Sequence, residues 1–245
     1  MISWILFAAL YLATLISSIE YVKTLKLSWR MLPGMVTCAF AIAAFVDTPD
    51  IAPWLATVVS VALLWLGIII IRFHDKYTIR DVALTYFAFV YIAFPLIFVY
   101  LISKNEGMNF HVLLIFVIAW VSDVSSLLLS KKIGRRKVSG LCSKTTCAGA
   151  AAGAIITVVI VISLAVLWSR NTLYWQEALV FGGIAFVGAF FAFIGRIFLA
   201  YLLKQAEMSE VATVLPHKIS ILRVFTPVFF VAAFIYVWHL NFPSI

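Results

Sequence analysis

FHVLLIFVIAWVSDVSSLLLSKKIGRRK, residues 110–137, sets twenty residues carrying a single charge, Asp123, against a closing block of five lysines and arginines. About 20 consecutive apolar residues cross the hydrocarbon layer of a bilayer as an α-helix, and lysine and arginine collect on its cytoplasmic side. The stretch therefore reads as a membrane span followed by a cytoplasmic loop. Runs of the same kind recur outward in both directions. They predict about eight spans, at Ile2–Ser18, Met31–Val46, Trp54–Ile71, Val82–Ser103, Phe110–Leu129, Gly149–Trp168, Ala178–Leu203 and Ile219–His239. The second is short and contains Pro33 and Gly34, which suits a tilted or re-entrant segment. The runs are continuously apolar, whereas strands of a membrane barrel alternate and last about ten residues. The expected fold class is all-α, polytopic and integral to a membrane, with one membrane domain over residues 1–245. Composition agrees: 65% of the 245 residues are hydrophobic and 11% charged, with a mean hydropathy of +1.13. Soluble domains have roughly half and a quarter.

The basic residues sort the connections into two sets. Lys23, Lys26 and Arg30, then Arg72, Lys76 and Arg80, then Lys131, Lys132, Arg135, Arg136, Lys137 and Lys144, and finally Lys204 and Lys218 fall on alternate connections. The intervening connections hold only Lys104 and Arg170. The positive-inside rule places the rich set in the cytoplasm and both termini on the other side. The first span has no basic residues before it, so it reads as a retained helix, although LATLISS at 12–18 resembles the end of a cleavable signal. Trp29, Trp54, Trp168, Trp175 and Trp238 lie near span ends, where indoles anchor in the headgroup layer.

The net charge of +8 does not point to nucleic acid, because the basic residues flank helices beside one leaflet and anionic headgroups are the simpler partner. SKKIGRRKVSG, residues 130–140, is the densest patch, readable as a topology signal or as a phosphate-binding loop. Cys38, Cys142 and Cys147 are expected to be unpaired thiols, and no histidine or acid spacing suggests zinc. Walker and G-x-S-x-G motifs are absent, as are internal repeats.

Ionisable residues inside spans carry most information, because lipid makes them costly without a polar partner. They are Asp123, Arg196 and Arg223. Asp123 and Arg196 each lie eight residues before a basic end, Lys131 and Lys204, or about 12 Å at 1.5 Å per residue. Arg223 lies five residues beyond Lys218, about 8 Å in. Ser126 and Ser130 continue the Asp123 face, and Thr226 that of Arg223. The three charges should share one level near the cytoplasmic leaflet, as a polar pocket or as a salt-bridged packing cluster. One acid against two arginines favours an anionic ligand over a bare metal cation.

At these residues a family resemblance enters. SDVSSLLLSKKIGRRKVSGLCSKTTCAGAAAG, residues 122–153, resembles the cytidylyltransferases that make CDP-diacylglycerol from CTP and phosphatidate, whose pattern runs D-T-x-A-Y-x-x-G-x-x-x-G-K-x-K-x-x-x-x-S-P-K-K-T-x-E-G. Asp123, Gly134, Lys137 and Ser143 match it, and with a one-residue gap so do Lys144, Thr146 and Gly149. IGRIFLAYLLKQAEMSEVATVLPHKISILRVFTP, residues 194–227, is similar to the family's second region. There Gly195, Lys204, Leu215 and Pro216 agree, and Glu210 stands for the acid of K-D. The resemblance covers residues 109–245, while residues 1–108 share only general hydropathy with the family. It implies nucleotide or phosphate contacts at Lys137, Ser143, Lys144, Thr146 and Lys204. Asp123 and Glu210 are the remaining candidates for catalytic acids.

Departures from the pattern matter for function. Where the family has the acid of G-D and the two acids of D-R-x-D, this chain has Arg196, Arg223 and Thr226; its G-H-G-G becomes His217, Lys218, Ile219 and Ser220, and the acid of T-x-E-G becomes Ala148. Divalent metal normally neutralises a triphosphate in transfer, and magnesium seeks carboxylate oxygens. Arginines at those positions repel it. The expectation is a cytidylyltransferase-like protein with catalysis lost or impaired and no resident metal, in which Arg196, Arg223, His217 and Lys218 meet an anionic phospholipid such as phosphatidate. Its partners would be membrane lipid and a second copy or an active homologue, with no nucleic acid. Two further readings stay open. One is an active enzyme using CTP and Mg2+, either a lipid cytidylyltransferase or a polyprenol or phytol kinase. The other is a small-solute transporter. A bacterial inner membrane or the endoplasmic reticulum suits the charge pattern.

Overall fold

A computed structural model describes residues 2–27, 32, 36–37, 39, 51–72, 78–104, 109–132, 146–169, 174–208, 210–214 and 220–241. Seven helices lie among them: α1 (Ile2–Thr24), α2 (Ile51–Arg72), α3 (Ile79–Lys104), α4 (Asn109–Lys132), α5 (Cys147–Trp168), α6 (Trp175–Gln205) and α7 (Ile221–Asn241). Six of them, α1 and α3 to α7, are long and apolar enough to cross a membrane by length and composition. The chain is an integral membrane protein of the all-α class. Seven of the eight expected spans coincide with these helices, and the second, Met31–Val46, lies mostly outside the described residues. One boundary needs correction. The first span was expected to stop at Ser18, whereas α1 runs on to Thr24 and carries Glu20 inside it. The uninterrupted apolar run ends at Ser18, but a charge with internal partners does not stop the helix.

The chain divides into two compact units, residues 1–101 with 210–222, and residues 102–209 with 223–245. In the first unit, α3 is the best-buried helix, with Phe89, Ile92, Leu96 and Ile97 almost wholly covered. It contains a π-helical turn at Phe89–Ala93 just before Pro95. Proline has no N–H for the carbonyl four residues back and its ring crowds that carbonyl, so a widened turn is the local answer. The capping box at its start, Thr78 with Asp81, satisfies the first free N–H groups.

Four helices, α4 to α7, build the second unit. Ser130 and Ser126 of α4 meet Gly149 and Gly153 of α5 in reversed order, so these neighbours are antiparallel. A Cβ on Gly149 would sit 2.8 Å from the Ser130 Cα, and one on Gly153 would sit 2.9 Å from the Ser126 backbone nitrogen. Small residues four apart let membrane helices approach backbone to backbone, where no hydrophobic force draws them together. The G-A-A-A-G stretch is thus used inside the chain. Along α6, Gly188 rests against Ile118 of α4, and Gly195 rests against Thr226 and Phe230 of α7. At 31 residues, α6 is about 46 Å long against a hydrocarbon core of about 30 Å, so it projects beyond that core or lies tilted within it. Replacing Gly153 by valine is expected to cost at least about 1–3 kcal/mol, since the clash is with backbone and cannot be relieved by a rotamer change. Gly183, with nothing within 4 Å of its would-be Cβ, should accept alanine without loss. Thermal unfolding of both variants in detergent checks the contrast.

Candidate functional site

The expected charged level forms within the second unit. Asp123 sits on α4 and Arg196 on α6, and Ile118–Gly188 and Asp123–Arg196 follow in the same order, so the two helices run parallel. Equal spacing to the basic ends therefore puts acid and guanidinium side by side. Arg196 Nε donates to Asp123 Oδ1 at 2.7 Å, Nη2 donates to the same oxygen, and Nη2 also donates to the Asp123 main-chain oxygen at 2.6 Å. The pair is partly covered, Arg196 at 15% and Asp123 at 28% side-chain exposure. Ser126 Oγ donates to the Asp123 carbonyl at 3.1 Å, so that oxygen takes both a hydroxyl and a guanidinium. Ser122, Ser126, Ala150, Ala154, Ala192 and Phe193 complete a cleft of about 10 Å³ around the pair. That is the room one water needs.

The other expected residues divide clearly. Thr226 is fully buried, and its carbonyl lies 3.0 Å from where a Cβ on Gly195 would stand, so positions 195, 196 and 226 are brought to one place. Arg223 lies in the first turn of α7 and is exposed, while the acid engages Arg196. Lys204 is exposed in the last turn of α6. Thr146 serves as the N-cap of α5: its Oγ1 accepts from Gly149 N at 3.1 Å and its own N–H donates to Ser130 Oγ at 3.0 Å. Glu210 is exposed at the start of residues 210–222 in the first unit. Lys137, Ser143, Lys144, His217 and Lys218 lie outside the described residues.

One acid was missed by the sequence reading. Glu20, fully buried in the first unit, accepts from Ser220 Oγ at 2.9 Å and from Leu222 N at 2.8 Å, both at Oε2, and from Val214 N at 3.4 Å. Thr24 adds to the same arrangement, accepting from Ala212 N at 3.0 Å. Ala212, Val214, Ser220 and Leu222 are thereby fastened to α1.

Magnesium does not suit the donor set at Asp123. Its Oδ1 is held by a guanidinium, and among the described residues no group of three or more histidines, cysteines or acids could hold a metal ion. A hard cation would have to displace a neighbouring positive charge.

These features define a polytopic α-helical membrane protein with a charged pair, Asp123–Arg196, set between two of its helices. More particularly, the profile of the Cytidylyltransferase family matches residues 1–242, and the chain belongs to that family. The match takes in the N-terminal helices as well as the C-terminal motifs. No individually curated protein matches the chain.

Proposed function

We propose that this cytidylyltransferase-family protein has lost, wholly or largely, metal-dependent cytidylyl transfer and binds an anionic phospholipid headgroup beside the Asp123–Arg196 pair. The observation that carries this reading is the guanidinium of Arg196, at a position where the resemblance set out above implies an acid, which closes on Asp123. Arginine offers a planar fork suited to phosphate oxygens, and Arg223 with Lys204 adds positive charge at neighbouring helix ends. By the distribution of basic loops the site faces the cytoplasm, in a bacterial inner membrane or the endoplasmic reticulum. Phosphatidate is the ligand the family's chemistry suggests. A second copy or an active homologue is the natural protein partner. Purified protein in liposomes containing phosphatidate, given radiolabelled CTP over a range of magnesium, should form no more CDP-diacylglycerol than protein-free liposomes. Robust magnesium-dependent product would overturn the proposal in favour of an active lipid cytidylyltransferase, the reading that family membership alone supports.

A further inference from the structure

The cleft beside Asp123 and Arg196 is lined by acceptors. Both bonds from the guanidinium to the carboxylate end on Oδ1, and among the described residues no donor reaches Oδ2. The carboxylate oxygen left to the cleft is therefore Oδ2. Ser122 and Ser126 line the same space. Ser122, 6% exposed, donates its hydroxyl proton to the Ala119 carbonyl at 3.1 Å, and Ser126, 4% exposed, donates its own to the Asp123 carbonyl at 3.1 Å. A hydroxyl has one proton to give and two lone pairs. With both protons committed to main-chain carbonyls, the serines offer the cleft lone pairs only. The Arg196 guanidinium, the donor on this wall, is engaged with Asp123, and the alanines bring no polar side chain.

We propose that this cleft is a subsite for one O–H group of the bound phospholipid, so that the site selects anionic headgroups carrying a hydroxyl over those carrying none. The proposal rests on the lipid-binding reading above and narrows it to a class of headgroup. Size points to a hydroxyl, because about 10 Å³ admits a group as large as one water and leaves a phosphate at the mouth. Charge points the same way. An uncommitted carboxylate oxygen repels a phosphate oxygen, whereas it accepts from an O–H in a charge-assisted bond, stronger than a neutral one. An ammonium also carries donors, but here it would stand beside the guanidinium, and like charges at close range repel. The neutral hydroxyl meets no such opposition. Two headgroups supply it: an alcohol, as in phosphatidylglycerol, or the P–OH of phosphatidate that carries one proton.

The test measures, by native mass spectrometry of full-length protein in detergent, the Kd of short-chain phosphatidylglycerol, phosphatidate and phosphatidylmethanol. The last has an anionic phosphate and the same chains but no O–H on its headgroup. Phosphatidylglycerol, phosphatidate or both should bind about tenfold or more tighter than phosphatidylmethanol, the difference being a hydrogen bond to a charged acceptor. Whichever leads shows whether the alcohol or the phosphate supplies the O–H. Asp123→Asn removes the charged acceptor, and Ala154→Val fills the cleft while leaving the Asp123–Arg196 pair in place. Each should erase the preference while anionic lipids still bind. If Asp123→Asn does not fold, Ala154→Val decides alone. Equal affinity for the three lipids in the unmodified protein, or a preference that survives in Ala154→Val, overturns the proposal and leaves the lipid-binding reading standing. Failure of every anionic lipid to bind better than phosphatidylcholine overturns that reading and the subsite with it.

Discussion

Arg196→Asp is expected to destabilise the protein in a chelating buffer and to make its stability depend on magnesium. The substitution replaces a guanidinium that makes three hydrogen bonds to Asp123 with a second carboxylate at the same level. Two like charges about 4 Å apart repel by about 4 kcal/mol at an effective dielectric of 20, and the 28% exposure of Asp123 lowers that figure. Magnesium relieves the repulsion by binding both acids, so Tm should fall in EDTA and recover as magnesium is added. Unmodified protein should show no such response. Arg196→Ala separates the two contributions: it also loses the pair but offers magnesium only one acid, so little should be recovered. A Tm of Arg196→Asp that ignores magnesium would mean that the position no longer has the geometry of a metal centre, and that loss of the acid alone does not account for the site.

The same pair shows how far sequence reaches. Asp123 and Arg196 were placed at one depth by counting residues to the nearest basic end, and helices that run parallel preserve such counts. Which arginine the acid takes was beyond that count, because Arg196 and Arg223 differ in facing as well as in depth. Gly195 settles facing on α6: packed against Thr226 and Phe230, it aligns the next residue toward α4. The contact of Gly149 with Ser130 could not be assigned from sequence, since a glycine looks the same whether it meets a helix of its own chain or of another. His111 and His239 carried no signal at all. Their rings meet only because two antiparallel helices bring the start of α4 to the end of α7. Glu20 escaped for another reason. Hydropathy treats a charge as the end of a span, yet three donors from residues 214–222 make this carboxylate a buried part of the fold.

Glu20→Ala should therefore be among the most damaging single changes in the first unit. A buried carboxylate is costly to desolvate, and replacing a buried ion pair with apolar groups on both sides can even stabilise a protein. That escape is closed here, because two of the three donors are main-chain N–H groups that no substitution removes. Leu222 is 1% exposed and Ser220 7%, so water cannot readily take the place of the lost acceptor. Hydrogen bonds to a charged group contribute about 1.5–3 kcal/mol each, and the desolvation of the acid that is no longer needed returns part of their sum. A net loss of about 2–4 kcal/mol follows. Glu20→Gln keeps one acceptor oxygen without its charge and should fall between alanine and the native residue. Thermal unfolding orders the three proteins, and limited proteolysis reads where the damage lies: cleavage should appear first within residues 210–220, before any cut in α5 or α6. Equal unfolding of all three would show that Glu20 contributes no net stability in its site. Cleavage spread evenly along the chain would show that it acts on the fold as a whole instead of on the segment it holds.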